Sequence, residues 1–302
     1  MQVLSEKKYL AIFFLVVVIG VVVFLIGFHD KTAPPQIAII PTTPITTEII
    51  PTKTYRIFGA SVKGRALEEY TFGTGKTHLL FVGGMHGGYE WNSVVLAYRF
   101  IDYLEDPKNV PDGFTISVIP ALNPDGVFEV TGKEGRFTPA DVPDVSKKPS
   151  GYGRLNANKV DLNRNLDCNW KPKSMWRGSE VSAGKSAFSE PETTALRAVV
   201  ASSSPAAVIF WHSQSGSVYA SACNNGILPD TLSIMNVYAK AAGYTPVKAF
   251  DAYKITGDSE GWLASIGIPA ITVELKTHET VEWEQNLAGI TALFDFYGKK
   301  KN

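Results

Sequence analysis

Val82-Gly83-Gly84-Met85-His86-Gly87-Gly88-Tyr89-Glu90-Trp91 is the stretch that decides how the chain is read. An apolar run, His78 to Val82, leads into it, and an amphipathic stretch with Val94, Tyr98, Ile101 and Leu104 on one face follows it. The pattern predicts a strand, a tight turn and the start of a helix. Glycine lets a backbone turn sharply with no Cβ in the way. His86 and Glu90 then project from the carboxyl end of a strand, where α/β sheets place their sites. An imidazole and a carboxylate this close in sequence suit one Zn²⁺ ion. The plain structural alternative is a buried histidine beside a helix-capping acid, and the rest of the chain has to choose.

On either side of this stretch the chain alternates strands and helices. Two short strands over Tyr55 to Gly73 are separated by the turn Val62-Lys63-Gly64-Arg65. Strands are predicted at His78–Val82, Phe114–Ile119, Ala206–Trp211 and Ile268–Leu275. Helices are predicted at about Glu90–Glu105, from Ser189 to about Ser202, from Asp230 to Gly243, at Glu260–Ile266, and from about Val281 to Tyr297. Ser189 and Glu192 have the spacing of a capping box, and Asp230 is the expected cap of its helix. Pro120 to Gly126 reads as a turn, and residues 127–153 as one long loop of the kind that often carries function. This is an α/β chain with a mostly parallel, mixed sheet and helices on both faces. Gly73-Thr74-Gly75-Lys76-Thr77 resembles a fragment of a phosphate-binding loop, but Tyr70 stands where that motif needs glycine.

The first 54 residues differ in kind. Tyr9 to Phe28 is almost unbrokenly apolar and uncharged, and about 20 such residues span a bilayer as a helix. Lys7 and Lys8 precede it, so residues 1–8 are expected inside and the remainder outside. No small-residue cleavage site follows, which favours an uncleaved signal anchor over residues 9–28. Residues 29–54 hold five prolines among threonines and read as an extended stalk. The folded domain is expected over residues 55–302, with only the stalk and no pro-domain before it. The 29 basic and 29 acidic residues balance and are interspersed, so no electrostatic case exists for a nucleic-acid partner. Lys299-Lys300-Lys301 reads as a solvated tail. Cys168 and Cys223 are too few for a disulfide scaffold or a structural zinc site. Outside the cytoplasm they could form one bridge; two buried thiols are the equal alternative.

Several polar residues stand at strand ends or in loops: His86, Glu90, His212 and Glu274. A catalytic zinc site needs three protein ligands and an open position for water. Two histidines and a carboxylate supply that set, and a further carboxylate must move the proton. Glu274 ends the apolar run Ile271-Thr272-Val273-Glu274-Leu275. An unpaired charge there is costly, so it needs a partner or a task.

Over about residues 55–298 the chain resembles the zinc carboxypeptidase (funnelin) family. The resemblance rests on Val160-Asp161-Leu162-Asn163-Arg164-Asn165, Arg154-Leu155-Asn156, Phe210-Trp211-His212-Ser213, Tyr253 nine residues before Trp262 with Gly257 between, and Val273-Glu274-Leu275, in the family's order. It implies one Zn²⁺ on His86, Glu90 and His212, with Glu274 as general base and acid. It implies Arg154 as oxyanion stabiliser, Asn163 and Arg164 as the anchor of a terminal carboxylate, and Tyr253 as a mobile tyrosine closing over substrate. The chemistry suits those types: arginine grips a carboxylate by two parallel hydrogen bonds, which lysine does not. The position at the base of the terminal side-chain pocket is Glu260, which implies a preference for a basic end group. The plain alternative for Glu260 is a helix-start acid favoured by the dipole. No role is assigned to His29, His78 or His278.

One departure stands out. The family's first motif has two residues between histidine and glutamate, and here Gly87, Gly88 and Tyr89 make three. The glycines are expected to absorb the extra residue as a bulge. The reading is therefore a membrane-anchored, extracytoplasmic zinc metallocarboxypeptidase acting on peptides with a free C-terminal carboxylate, among them cell-wall stem peptides. Two alternatives remain: a deacylase of N-acyl amino acids on the same scaffold, which the carboxylate anchor and Tyr253 argue against, and a non-catalytic peptide-binding module with a degenerate metal site, which the longer gap alone supports.

Overall fold

A computed structural model describes residues 53–220 and 222–300. The apolar run 9–28, His29 and nearly all of the stalk lie outside the described residues. Among the described residues, no helix is long and apolar enough to cross a membrane.

Among the described residues there are ten strands and six α-helices. They are β1 Thr54–Ala60, β2 Ala66–Phe72, β3 Thr77–Val82, α1 Trp91–Leu104, β4 Phe114–Ile119, α2 Pro124–Thr131, β5 Lys173–Trp176, β6 Ser179–Ser182, α3 Pro191–Ser203, β7 Ala207–Ser213, β8 Ser217–Ala220, α4 Pro229–Ala242, β9 Thr245–Val247, α5 Ser259–Ser265, β10 Ala270–Leu275 and α6 Trp283–Lys299. Eight strands make one sheet in the order β1-β2-β4-β3-β7-β10-β8-β9. Four of its seven pairings are parallel, β4–β3, β3–β7, β7–β10 and β8–β9, and the other three are antiparallel. The centre is parallel and buried on both faces, so β7, Ala-Val-Ile-Phe-Trp-His-Ser, has no exposed residue.

Each face has its own core. On one, α1, α4 and α6 bring Val94, Phe100, Tyr238 and Leu293 onto Phe81, Trp211 and Val273. On the other, α3 and α5 bring Leu196, Val200, Trp262 and Leu263 onto Leu80, Val208 and Phe210. Side chains alternate along a strand: Trp211 points into the first core and Phe210 into the second. His212 therefore follows Phe210 onto the second face. Trp211 is held between Phe81 and Phe100, with ring centroids at 5.3 and 5.8 Å, which fixes the backbone one residue before His212.

Four local expectations are corrected. Pro124 to Thr131 is a helix rather than turn and loop. Asn123 caps it by accepting from Gly126 N at 2.9 Å, with proline at the first helical position. Ser189 and Glu192 form no capping box: Glu190 is the cap residue, with no side-chain cap bond. Ser189 Oγ donates to Glu190, while Glu192 accepts from Val62 N at 3.0 Å, a tertiary contact that outbids the local one. Asp230 lies in the first turn of α4, which starts at Pro229 with Leu228 as its cap residue. Lys299 and Lys300 are exposed as expected but form the helix end rather than a tail: Lys299 ends α6 and Lys300 pairs with Asp230 at 2.7 Å. Strands β5, β6, β8 and β9 are additions; each is three or four residues long, too short to show a periodicity. Cys168 and Cys223 form a disulfide with Cα atoms 6.1 Å apart.

Candidate metal centre

The parallel register gathers the site. β3 pairs with β7 up to Val82 opposite Phe210, and β10 pairs with β7 so that Glu274 lies opposite His212. His86 follows β3 by four residues, so all three side chains meet at the carboxyl edge of neighbouring strands. Glu90 arrives at the start of α1, where its carbonyl accepts from Ser93 Oγ at 2.7 Å.

The extra residue between His86 and Glu90 is absorbed as a 3₁₀ turn over Gly87–Glu90. Gly87 has φ +52°, and a Cβ there would lie 2.6 Å from Gly153 O. A Cβ on Gly88 would lie 2.5 Å from Val130 and 2.7 Å from Gly126 O. The turn thus fits against α2 and the segment before Arg154 only because both positions lack a side chain.

His86, Glu90 and His212 are all buried and converge. His86 Nδ1 lies 2.7 Å from Glu90 Oε1, and His212 Nδ1 lies 2.8 Å from Glu90 Oε2. The two Nδ1 atoms face each other at 3.0 Å. At most one proton fits between two such nitrogens, whereas a cation takes both lone pairs. Donors on a tetrahedral Zn²⁺ lie about 3.3 Å apart, so the cluster needs to open by only a few tenths of an ångström. Burial alone would raise the Glu90 carboxyl, but His86 and His212 hold it far below its ordinary range. Burial would likewise lower His212, yet the Glu90 carboxylate outweighs it and raises it; the site favours a positive charge at its centre. His86 Nε2 faces Asp161 Oδ1 at 3.4 Å, the usual carboxylate partner that leaves the other ring nitrogen free for metal. Asp161 is kept ionised against burial by Arg154, Arg164 and His86. The residues fit Zn²⁺.

A pocket of about 330 Å³ opens over these ligands. Every other residue singled out in the sequence lines it: Arg154, Asn163, Arg164, Tyr253, Glu260 and Glu274. Glu274 Oε2 is buried with no hydrogen-bond partner among the described residues. Burial, and then the Glu90 charge, push its carboxyl up to about 8 despite His212 and Arg154. Arg154 donates from Nε and Nη2 to Asp161 Oδ2 at 3.0 and 2.9 Å, leaving Nη1 3.6 Å from Glu90 Oε1. Asn123 Nδ2, from the cap of α2, donates to the Arg154 carbonyl at 3.0 Å. Asn163 Oδ1 accepts from Ser259 N and Oγ at 2.9 and 3.0 Å. Arg164 donates Nε and Nη2 to Met175 O and Nη1 to Asn163 O. That uses three of five guanidinium protons and leaves one on each Nη. Glu260 is buried, not a surface helix-start acid, and burial followed by the Asp258 charge pushes it up to about 7. Tyr253 packs edge-on against Phe250, with centroids 4.7 Å apart.

Other residues of the site carried no sequence signal that was used. Asp161 stands inside the quoted Val160–Asn165 motif but had no role of its own. Tyr89 and Trp176 form an aromatic wall, rings perpendicular at 5.4 Å, and Arg177 donates to Tyr89 Oη at 3.2 Å. His278 packs at a tilt of 58° against Tyr89, centroids 4.6 Å apart, and shares a 2.7 Å hydrogen bond with Ser213 Oγ, which donates to Asn92 Oδ1 at 3.0 Å. His78 lies away from the site, 3.0 Å from Ser117 Oγ.

Fold and site define the class: an α/β protein with two histidines and a glutamate fit to hold one metal, beside an unpaired carboxylate. Comparison with known families gives the rest. Residues 50–284 match the zinc carboxypeptidase family, and the chain belongs to it. That family is one of zinc-dependent peptidases, and His86, Glu90 and His212 supply the donor set its Zn²⁺ needs. The chain is 24% identical to the gamma-D-glutamyl-L-diamino acid endopeptidase 1 of Lysinibacillus sphaericus over 72% of its own length and 59% of that protein's. It therefore spans about three-fifths of this curated relative. Among solved structures, carboxypeptidase A from Helicoverpa armigera aligns with TM-score 0.62 and 19% identity, covering 80% of this chain and 67% of that one. The murein-tripeptide amidase of Escherichia coli O157 aligns with TM-score 0.54 and 21% identity, covering 80% and 90%. At those identities the structures establish the fold.

Proposed function

We propose that the chain is a metallocarboxypeptidase that removes a C-terminal residue, with preference for one carrying a basic end, and that cell-wall stem peptides are among its substrates. The observation that carries this is one pocket in which the metal cluster, an unpartnered carboxylate and an arginine with two unused protons converge. His86, Glu90 and His212 would hold Zn²⁺, which would supply an acidified water, of pKa about 7, and Lewis-acid polarisation of a carbonyl. Glu274 takes the proton of the attacking water and passes it to the leaving amine; a carboxyl shifted toward neutrality suits both transfers. Arg154 Nη1, fixed through Asp161, faces the oxygen on which negative charge develops. Arg164 and Asn163 Nδ2 hold the terminal carboxylate, and Tyr253 closes the mouth. Glu260, ionised above about pH 7, receives a cationic end group: lysine, arginine or the distal amine of a diamino acid. The Lysinibacillus relative, named for a bond between a γ-D-glutamyl group and a diamino acid, supports the last class. The 3₁₀ turn accommodates the longer gap between His86 and Glu90 and so weighs against a degenerate metal site.

The apolar run 9–28 and the stalk behind it support an uncleaved anchor with the domain, from about residue 55, outside the membrane; the disulfide fits that compartment. The test is zinc content and hydrolysis by the full chain in detergent, on peptides ending in lysine, arginine, diaminopimelate or leucine. About one zinc per chain and release of the basic residues is expected. Release of the acyl group from N-acyl amino acids, with no action on peptides, would replace this reading by a deacylase.

A further inference from the structure

The inserted Tyr89 has a partner set of its own. Its ring meets Trp176 edge-on and packs at a tilt against His278, and its hydroxyl accepts from Arg177 Nη1 at 3.2 Å. Arg177 and Gly178 are the two residues between Trp176 and Ser179, which pair across the β5–β6 hairpin. Both have positive φ, +48° and +81°, the pattern of a tight turn that favours Asn-Gly. A long side chain at the first position is held in a left-handed conformation that L residues disfavour, and such outliers cluster at ligand-gripping sites. The other two arginines of the pocket are committed: Arg154 to Asp161, and Arg164 to two carbonyls with the terminal carboxylate proposed for its free protons. Arg177 is exposed and has no carboxylate within ion-pair distance among the described residues, though it lines the same pocket. Its guanidinium lies 5.7 Å from the Trp176 ring centre, and the Arg154 guanidinium lies over the same ring at 4.7 Å.

These residues are tied to the metal side of the pocket, next to the terminal-carboxylate anchor, since Arg164 donates to Met175 O just before Trp176. Asn163 is tied to Ser259, beside Glu260, by two hydrogen bonds. Tyr89 is instead one residue before the ligand Glu90 and contacts His278, which is bonded to the residue after the ligand His212. The Arg154 guanidinium lies 6.0 Å from the Tyr89 ring centre, on the side where the carboxypeptidase reading runs the acyl half of the substrate. We infer that Tyr89, Trp176 and Arg177 form a subsite for a carboxylate on the penultimate residue, so that peptides with an acidic residue before the terminal one are preferred. The aromatic pair packs against the stem of that residue, and Arg177 takes its carboxylate by a charge-assisted hydrogen bond. A γ-linked glutamyl residue presents its α-carboxylate in this way, and an α-linked glutamate presents its side chain. The inference rests on the carboxypeptidase reading, which sets the direction of the substrate.

The experiment compares pairs that differ only in one charge: acyl-γ-D-glutamyl-lysine against its α-amide, and acyl-Glu-Lys against acyl-Gln-Lys. Full-length zinc-loaded protein is expected to favour the acid of at least one pair by about fivefold in kcat/KM, through KM, and less at high salt. Arg177→Asn, which suits the left-handed backbone and is expected to melt no lower, should bring the ratio near one. Arg177→Glu should invert it. The same pairs are titrated calorimetrically into the Glu274→Gln protein, with and without Arg177→Asn. If an acid preference in binding vanishes with Arg177→Asn while the parent protein, with Glu274 intact and zinc bound, cleaves none of the peptides, the carboxypeptidase reading sinks and the subsite stands. Equal treatment of acid and amide by the parent protein, or an acid preference that survives Arg177→Asn, overturns the subsite.

Discussion

The wall of the pocket that carries His86, Glu90, His212 and Glu274 hangs from the ends of β3, β7 and β10, whereas the rest of the lining, from Asn163 to Arg177 and from Phe250 to Glu260, is turn, short hairpin, loop and the first turn of α5. The first wall is fixed by parallel ladders and by Trp211 packed between Phe81 and Phe100. The second has no such backing. Backbone bonds tie it instead, Leu166 N to Gly257 O at 3.0 Å and Gly257 N to Cys168 O at 3.1 Å, and the Cys168–Cys223 bridge links it to the segment after β8. Metal chemistry tolerates little displacement and is placed on the rigid wall. Specificity can vary with side chains on the wall that a cross-link holds together.

This contrast can be broken most sharply at Glu274. Glu274→Gln keeps shape and removes the proton carrier, so kcat should fall about 10³-fold or more while zinc content stays near one. Kinetics beside metal analysis reads both, and an activity loss that tracked zinc loss would assign Glu274 to metal binding instead. The linked wall should respond differently. Replacing Cys168 and Cys223 together by serine should cost about 2–4 kcal/mol of stability, with KM affected more than kcat. Thermal unfolding and steady-state kinetics check this.

Asp161 joins the walls, touching His86 on one side and Arg154 on the other. Asp161→Asn should weaken zinc about 10- to 100-fold by loosening the orientation of His86, measured by competition with a chelator. The smallest expected effect lies at Glu260. Its carboxyl titrates near 7 in the folded chain against an ordinary 4.5. Between these values the folded state holds the extra proton, so this group's contribution to stability falls as pH rises from 4.5 to 7. Recognition runs the other way: the ratio of kcat/KM for terminal lysine over leucine should rise several-fold from pH 6 to 8 and lose that rise in Glu260→Gln. A pH profile of that ratio decides it.

The central sheet was legible because β3, β4, β7 and β10 are buried strands with apolar runs bounded by turn residues. The site was legible because its chemistry is concentrated in short motifs at strand ends. Pro120 to Thr131 misled, since Asn-Pro-Asp-Gly reads as a turn while Asn123 and Pro124 in fact start a helix. The capping box at Ser189 failed because Glu192 found a partner 130 residues away in Val62. The Tyr89–Trp176–Arg177 group left no local trace, because its members are joined across 88 residues.

The sequence alone determined the donor types, their order and the strands whose ends carry them, since periodicity and composition are local properties. It also left two questions open that tertiary structure decided. Whether three residues can separate His86 from Glu90 depended on the room that Gly126, Val130 and Gly153 leave around Gly87 and Gly88. Whether Glu260 is a pocket base or a surface acid depended on how α5 packs beneath Asn163, which buries the carboxylate and aims it into the site. Both are matters of distance between segments far apart in the chain, and only a folded chain brings such segments together.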